Sequence, residues 1–129
     1  MSDVIEFFVC GLPPQSTSPN GRASWHKRHR DGDEYAARVW TADRCAGVRD
    51  EQEPWERAHL TLTQHAIRLR DHDNFYASFK PGQDTLTTKG KRPLGIVVDD
   101  TPECLSVTLL AQRVYTKADE GVHIRLERR

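Results

Sequence analysis

The sequence predicts a small single-domain α+β protein, with two helices packed on a mixed β-sheet. At 129 residues, the chain is near the length at which one hydrophobic core is comfortably filled. Segments with strand and helix signals follow one another in the order β-α-β-α-β-β-β, without an internal repeat. That order is typical of helices that cover one sheet, and we therefore expect residues 1–129 to form one domain.

The N-terminal part predicts a strand, a loop and a helix. Residues 3–10, "DVIEFFVC", combine β-branched and aromatic side chains, which favour a strand. Residues 11–21, "GLPPQSTSPNG", are rich in turn formers and predict an exposed loop that continues into a basic segment. Residues 33–48 carry apolar side chains at helical spacing behind two acids, which predicts the first helix.

The middle of the chain predicts a second strand and a second helix. In residues 57–67, Leu60 and Leu62 alternate with threonines, which indicates a strand with one buried face. The next segment predicts a helix that begins at a cap on Asp73 or Asn74. Pro81 should kink or interrupt this helix, because proline lacks a backbone donor and crowds the preceding turn.

Three further strands are predicted after the second helix. Residues 94–98, "LGIVV", form a short apolar run suited to a buried strand that ends at two aspartates. Residues 104–115 and 122–127 then predict two closing strands around a polar turn.

The charge of the chain is zero overall but is unevenly distributed. Lysine and arginine together number 19, as do aspartate and glutamate, yet residues 11–30 contain bases and no acid. Such a segment could follow a phosphate backbone, because local potential matters more than net charge. An ordinary solvated loop is the alternative interpretation. We expect the three tryptophans, Trp25, Trp40 and Trp55, to be core or loop anchors rather than base-stacking groups.

Composition also indicates the cellular compartment in which the protein acts. No apolar run approaches the roughly 20 residues that a membrane helix needs, and residues 1–10 lack the basic start of a signal peptide. The three cysteines are widely spaced without a C-x-x-C pair, which favours a reducing compartment. We therefore expect a cytoplasmic protein with no membrane partner.

Two pairs of aspartates predict a cation site. Asp71 and Asp73 are two residues apart, and in an extended segment their side chains point to the same face. Asp99 and Asp100 follow the predicted strand at residues 94–98, and if that strand lay beside the second strand, three carboxylates would surround one point. Hard carboxylate oxygens favour Mg²⁺ or Mn²⁺. A solvated turn or a helix cap is the alternative for each pair.

The joint pattern resembles the RusA family of Holliday junction resolvases, small metal-dependent endonucleases of bacteria and their phages. D-x-D-N begins at Asp71, K-x-x-x-D-x-L begins at Lys80, and an apolar run followed by D-D ends at Asp100. A Pro-Pro turn, Asn20 and the basic segment also resemble the N-terminal region of the family. The resemblance implies a RusA-like fold, a homodimer and Mg²⁺ as the working ion, with Mn²⁺ as a substitute.

The resemblance also implies roles for individual residues. Asp71, Asp73 and Asp100 would be the catalytic, metal-binding acids, and Lys80 would be the catalytic lysine. Lys80 lies seven residues after Asp73, where the family pattern has four, but its spacing to Asp84 is retained. An insertion of almost one helical turn would leave the lysine on a similar face. The expected DNA-binding residues are Asn20, Arg22, Lys27, Arg28, Arg30, Arg68 and Arg70.

The expected function is therefore the resolution of four-way DNA junctions in recombination and repair, by Mg²⁺-dependent hydrolysis of phosphodiesters. A symmetric dimer would supply two active sites for a nearly two-fold symmetric junction. Two alternatives remain open at this point. One is a protein that binds branched DNA without cutting it, and the other is a metal-dependent nuclease that prefers flaps or replication forks.

Overall fold

The computed structural model describes residues 3–17, 23–47 and 53–129, and these form a mixed four-stranded sheet with two helices. The strands are β1 (Val4–Cys10), β2 (Ala58–Ala66), β3 (Leu105–Arg113) and β4 (Gly121–Arg128), and the helices are α1 (Trp25–Ala46) and α2 (His72–Leu86). The sheet order is β1-β4-β2-β3. Only β2 and β3 run parallel, joined by α2, while β4 is antiparallel to both of its neighbours. The predicted α+β class is confirmed.

Strands β1, β2 and β4 bury one face, as the alternating sequence of β2 predicts for that strand, whereas in the edge strand β3 only Leu105 is buried. Every second residue of β2, including Leu60 and Leu62, is buried, while Thr61 and Thr63 are partly exposed. Buried side chains of both helices, such as Tyr35 of α1 and Phe75 of α2, belong to the same core cluster as these leucines. The sheet and the two helices therefore share one hydrophobic core.

Helix α1 begins earlier than the sequence predicts. Its cap is Ser24, whose hydroxyl oxygen accepts a hydrogen bond from the Lys27 amide at 3.2 Å, and its first residue is Trp25 rather than Asp33. Lys27 also pairs with Asp31 one turn further along, at 3.5 Å. Residues 25–30 of the basic segment are consequently the first turns of a helix and not a loop, because a serine cap and pairs four residues apart both stabilise a helix start.

Helix α2 also differs from its prediction in two respects. Its cap is Asp71 and not Asp73 or Asn74, because the Asp71 carboxylate accepts hydrogen bonds from the Asn74 amide at 2.8 Å and from the Asn74 side chain at 2.6 Å. The helix also continues through Pro81 to Leu86. An internal proline costs about 3 kcal/mol. Burial of Phe79 on one side of it and of Leu86 on the other offsets that cost.

The predicted strand at residues 94–98 does not form. Only Val97 makes an isolated bridge, to Trp55. The amides of Ile96 and Val97 instead donate to the Leu86 carbonyl, at 3.0 and 3.3 Å. This apolar run therefore closes the C-terminal end of α2, where the last carbonyls of a helix need donors. The neighbours of β2 in the sheet are β3 and β4 instead.

Candidate functional site

A cleft of about 760 Å³ lies between the N-terminal half of α1 and the C-terminal half of α2. From α1 it is lined by Trp25, Arg28 and His29, and from α2 by Lys80 and Asp84. The loop after α2 adds Lys91 and Arg92. The cleft therefore brings the predicted basic segment next to the predicted catalytic lysine.

Two glycines allow the helices to approach each other beneath the cleft. A Cβ at position 82 would lie 2.9 Å from side-chain carbons of both Tyr35 and Val39, and one at position 32 would lie 3.2 Å from Pro81. Cβ atoms in real proteins essentially never approach another non-bonded heavy atom as closely as 2.9 Å. Gly82 is therefore required for the contact that holds Lys80 opposite α1.

Lys80 and Asp100 form the closest ion pair of this region. The Lys80 ammonium donates to the Asp100 carboxylate at 2.6 Å, and the Gln83 amide donates to the same oxygen at 3.2 Å. The hydrogen bond from Lys80 lowers the pKa of Asp100. Burial by itself lowers the pKa of Lys80, but the hydrogen bond and the charge of Asp100 outweigh it, so the net shift is upward. Both groups are therefore charged at neutral pH.

Further charged groups, for which the motifs suggest no catalytic role, surround this pair. Lys89 pairs with Asp99 at 3.0 Å, and a carboxylate oxygen of Asp99 accepts from the Asp100 amide at 2.8 Å. Burial raises the pKa of Asp84, and the charge of Asp100 raises it further. The D-D motif and the spacing from Lys80 to Asp84 are visible in the sequence, but their proximity depends on how the loop after α2 folds back.

Asp71 and Asp73 lie at the opposite end of α2 from Asp84. The prediction that they share a face of an extended segment is wrong, because Asp71 is the cap and Asp73 is inside the first turn. Residues two apart diverge on a helix. Asp73 does share a helix face with Lys80, since seven residues are nearly two turns, but that spacing corresponds to about 10 Å along the axis. The three predicted carboxylates therefore do not meet at one point.

The predicted metal ligands match Mg²⁺ in chemistry but not in placement. Carboxylate oxygens are the donors that Mg²⁺ prefers. Within residues 3–17, 23–47 and 53–129, however, no three acidic, histidine or cysteine side chains are grouped so that they could hold an ion. Lys80 and Lys89 instead neutralise Asp100 and Asp99.

The predicted DNA-binding residues have different surroundings. Lys27 and Arg30 are exposed on the first turns of α1, beside Arg28 in the cleft, and Arg68 is exposed before α2. Arg70 points inward, where it donates to the Pro13 carbonyl at 2.7 Å and to the Ser78 hydroxyl at 3.2 Å. Burial lowers the pKa of Arg70. Asn20 and Arg22 lie outside the described residues.

The tryptophans separate into two kinds. Trp55 is buried, in agreement with the prediction of a core anchor, and Trp40 is partly buried under the guanidinium of Arg44. Trp25 is 70% exposed, so for this residue the prediction is wrong. Its ring stacks on His29, with centroids 5.1 Å apart and planes 10° apart. The reason for its exposure is its position at the start of α1, on the open side of the cleft.

Comparisons of the chain with protein-family models, curated proteins and solved structures find no significant match. The family resemblance thus remains a hypothesis supported by the motifs. Within the ranges that the structure describes, the helices are too short or too polar to span a bilayer.

Proposed function

We propose that the protein is a structure-specific endodeoxyribonuclease that resolves four-way DNA junctions, as its resemblance to the RusA family implies. The observation that carries the proposal is the cleft, in which Lys80 of α2 and Arg28 of α1 come from distant parts of the chain. A lysine beside arginines at an open cleft is suited to a phosphodiester. The protein would act in the cytoplasm of a bacterium, encoded by the host or by a phage.

The side chains of the cleft can divide the chemistry between them. The Lys80 ammonium, half exposed and oriented by Asp100, can neutralise charge on the scissile phosphate. The Asp84 carboxylate has a raised pKa and lines the same cleft, so it is a better proton acceptor than an ordinary aspartate. Arg28 can hold a neighbouring phosphate and position the strand.

Mg²⁺ is part of the proposal through the family resemblance. A bound Mg²⁺ would make the attacking water nucleophilic and stabilise the leaving oxygen. Asp71, Asp73 and Asp100 are the ligands that the resemblance implies, and since the first two lie at the start of α2 while Asp100 pairs with Lys80 further along it, DNA binding or a rearrangement would have to bring them together. Cleavage measured with Mg²⁺, with Mn²⁺ and with a chelator tests the requirement directly.

A homodimer is also part of the proposal. The strand β3 lies at an edge of the sheet, and Leu110 and Tyr115 near its end are 48% and 82% exposed. An open edge with exposed apolar side chains favours contact with another chain. Sedimentation equilibrium should give twice the mass of one chain, and Leu110→Glu should shift the equilibrium toward monomer.

The decisive experiment compares three DNA substrates of equal length and matched sequence. A mobile four-way junction, a flap and a plain duplex are incubated with the protein and Mg²⁺, and the products are resolved on denaturing gels. We expect symmetric cuts in the junction at a rate well above that for the flap and the duplex. A faster reaction on the flap would indicate a nuclease of different preference. Junction binding without cleavage under any metal condition would indicate a binding protein.

A further inference from the structure

The cleft contains an exposed aromatic platform that phosphodiester cleavage itself does not require. Trp25 is 70% exposed and borders the cleft, although it stacks on His29. Large aromatic side chains supply much of the contact energy at binding sites, and this one borders a cleft lined by cations. Most of the Trp25 ring surface is therefore available to a ligand.

The charged side chains of the cleft favour an anionic ligand. Together with Trp25, they favour a ligand that is both aromatic and anionic. Among the residues that the structure describes, four permanent cations, Arg28, Lys80, Lys91 and Arg92, line it together with two carboxylates, Asp33 and Asp84. The side chains of Lys80 and Lys91 are 50% and 72% exposed, and their ammonium groups, which pair with Asp100 and Asp33, lie at the solvent-accessible cleft. The volume of about 760 Å³ is within the range of roughly 300–1,000 Å³ that small-ligand sites occupy.

We propose that this cleft binds an unstacked nucleotide of a DNA strand, with the base stacked on Trp25 and the phosphates held by the cations of the cleft. Such a site combines stacking, which any base can provide, with attraction to the backbone. Bases inside a duplex cannot reach the ring, whereas unpaired bases can, and a branch point or a single-stranded end offers them. The proposal rests on the proposed function, because it takes DNA as the ligand of the same cleft.

Short single strands without metal test this site separately from cleavage. The probes are an oligothymidylate and an abasic strand with the same number of phosphates, each titrated by fluorescence anisotropy in the presence of a chelator. We expect the wild-type protein to bind the oligothymidylate about tenfold more tightly than the abasic strand, a difference of about 1.4 kcal/mol, which stacking of one base on an aromatic ring can supply. Trp25→Ala should remove that difference and leave the affinity for the abasic strand unchanged.

Matched variants test whether the Trp25 ring is responsible for the preference for the oligothymidylate over the abasic strand. Trp25→Phe keeps an aromatic face and should retain most of the preference, while the same change at partly buried Trp40 on α1 should have no effect. Oligothymidylate should also quench tryptophan emission in the wild-type and Trp40→Phe proteins, and not in Trp25→Phe.

The proposal is overturned if the wild type does not bind the oligothymidylate, or if Trp25→Ala weakens binding of both strands equally. Absence of the base preference with normal junction cleavage would refute this site alone, and base-dependent binding without cleavage would refute the proposed function alone.

Discussion

At the scale of single residues, the pair formed by Lys80 and Asp100 is the part of the predicted site that the structure brings together. The two residues come from α2 and from the loop that precedes β3, and their charged atoms are 2.6 Å apart. A second lysine, Lys89, makes a similar pair with Asp99 but does not line the cleft. The chain thus offers an internal comparison between a lysine at the cleft and one beside it.

Lys80→Ala should lower the rate of junction cleavage by about 10²-fold, because the variant loses a cation that stabilises charge in the transition state. Single-turnover cleavage of a pre-bound junction, started by adding Mg²⁺, separates this step from association. Lys89→Ala is the matched control and should stay within about twofold of the wild-type rate. A Lys80→Ala protein that cleaves at the wild-type rate would remove this lysine from the mechanism.

The same pair makes part of the stability depend on pH. The pKa of Asp100 in the folded protein is below its ordinary value of 3.8, so its stabilising contribution is present above that value and is lost as the pH falls through the lowered pKa. Asp100→Asn removes this contribution. Urea denaturation should show the variant less stable than wild type near pH 7, with a difference that shrinks below about pH 4. An equal difference at all pH values would mean that the charge of Asp100 does not stabilise the fold.

At the scale of secondary-structure elements, the start of α2 and its contact with α1 decide where the site residues lie. Asp71 ends the extended segment after β2 and caps the helix, which turns Asp73 away from it. Gly82, one residue after Pro81, lets the helix lie against Tyr35 and Val39. A cap and a glycine therefore set the position of every charged side chain on the cleft side of α2.

Asp71 should have a structural role that can be separated from its proposed catalytic one. Asp71→Ala should lower the free energy of unfolding by about 1 kcal/mol, while Asp71→Asn should change it by only a few tenths, since asparagine caps a helix about as well as aspartate. Asp71→Asn and Asp73→Asn should nevertheless abolish cleavage and leave junction binding intact or stronger. Urea denaturation and the cleavage assay measure the two effects. Normal turnover by both asparagine variants would exclude a metal site at the start of α2.

Gly82→Ala should destabilise the protein even though alanine favours helices. The new Cβ would lie 2.9 Å from Tyr35 and Val39, so the helices must separate, which costs on the order of 1–3 kcal/mol. Gly32→Ala is the control at the same interface, where the nearest atom would be a Pro81 ring carbon at 3.2 Å, and its effect should be smaller. The urea denaturation midpoints of both variants test whether Gly82→Ala destabilises the protein more than Gly32→Ala does. Equal midpoints would mean that the interface adapts to the added methyl group.

At the scale of the whole molecule, the chain is neutral but its cleft is not. The basic first turns of α1 lie at one side of the cleft, and Lys80, Lys91 and Arg92 lie at the other. This segregation allows a protein with no net charge to present a phosphate-binding surface. Two acids also line the cleft, Asp84 and Asp33, the latter paired with Lys91 at 2.9 Å, but among the described residues there the lysines and arginines outnumber them four to two.

Changing Lys27, Arg28 and Arg30 together to alanine should weaken junction binding and flatten its salt dependence, because fewer counterions are released per complex. The slope of log Kd against log salt should fall by about 0.9 for each DNA phosphate that the variant no longer neutralises. A control variant with alanine at Arg57, Lys117 and Arg128, exposed residues that line neither the cleft nor the β3 edge, should keep the wild-type slope. Equal slopes for all three proteins would place the DNA on another surface.

The sequence alone determined the elements whose signals are local. The alternation of β2 and the apolar residues of β1 predict structure from neighbouring residues, because side chains alternate along a strand with a period of two. The capping residues before α2 predict a helix there but place its cap two or three residues too late. The same local signals misplaced the start of α1. The prediction took the acidic residues at the position of Asp33 as a helix start, but acidic residues are equally compatible with a helix interior. The local signals also placed a strand at residues 94–98, although a short apolar run can equally bond to the end of a helix.

Only the tertiary structure decided which of these elements form the site. Lys80 meets Asp100 because the loop after α2 folds back, and it faces Arg28 and Trp25 because Gly82 and Gly32 let two helices approach. Asp71 and Asp73 stay apart from Asp100 because the helix starts at Asp71. Motif order identifies the residue types that can do chemistry, but distances between them depend on packing between segments far apart in the chain, and no local pattern encodes those distances.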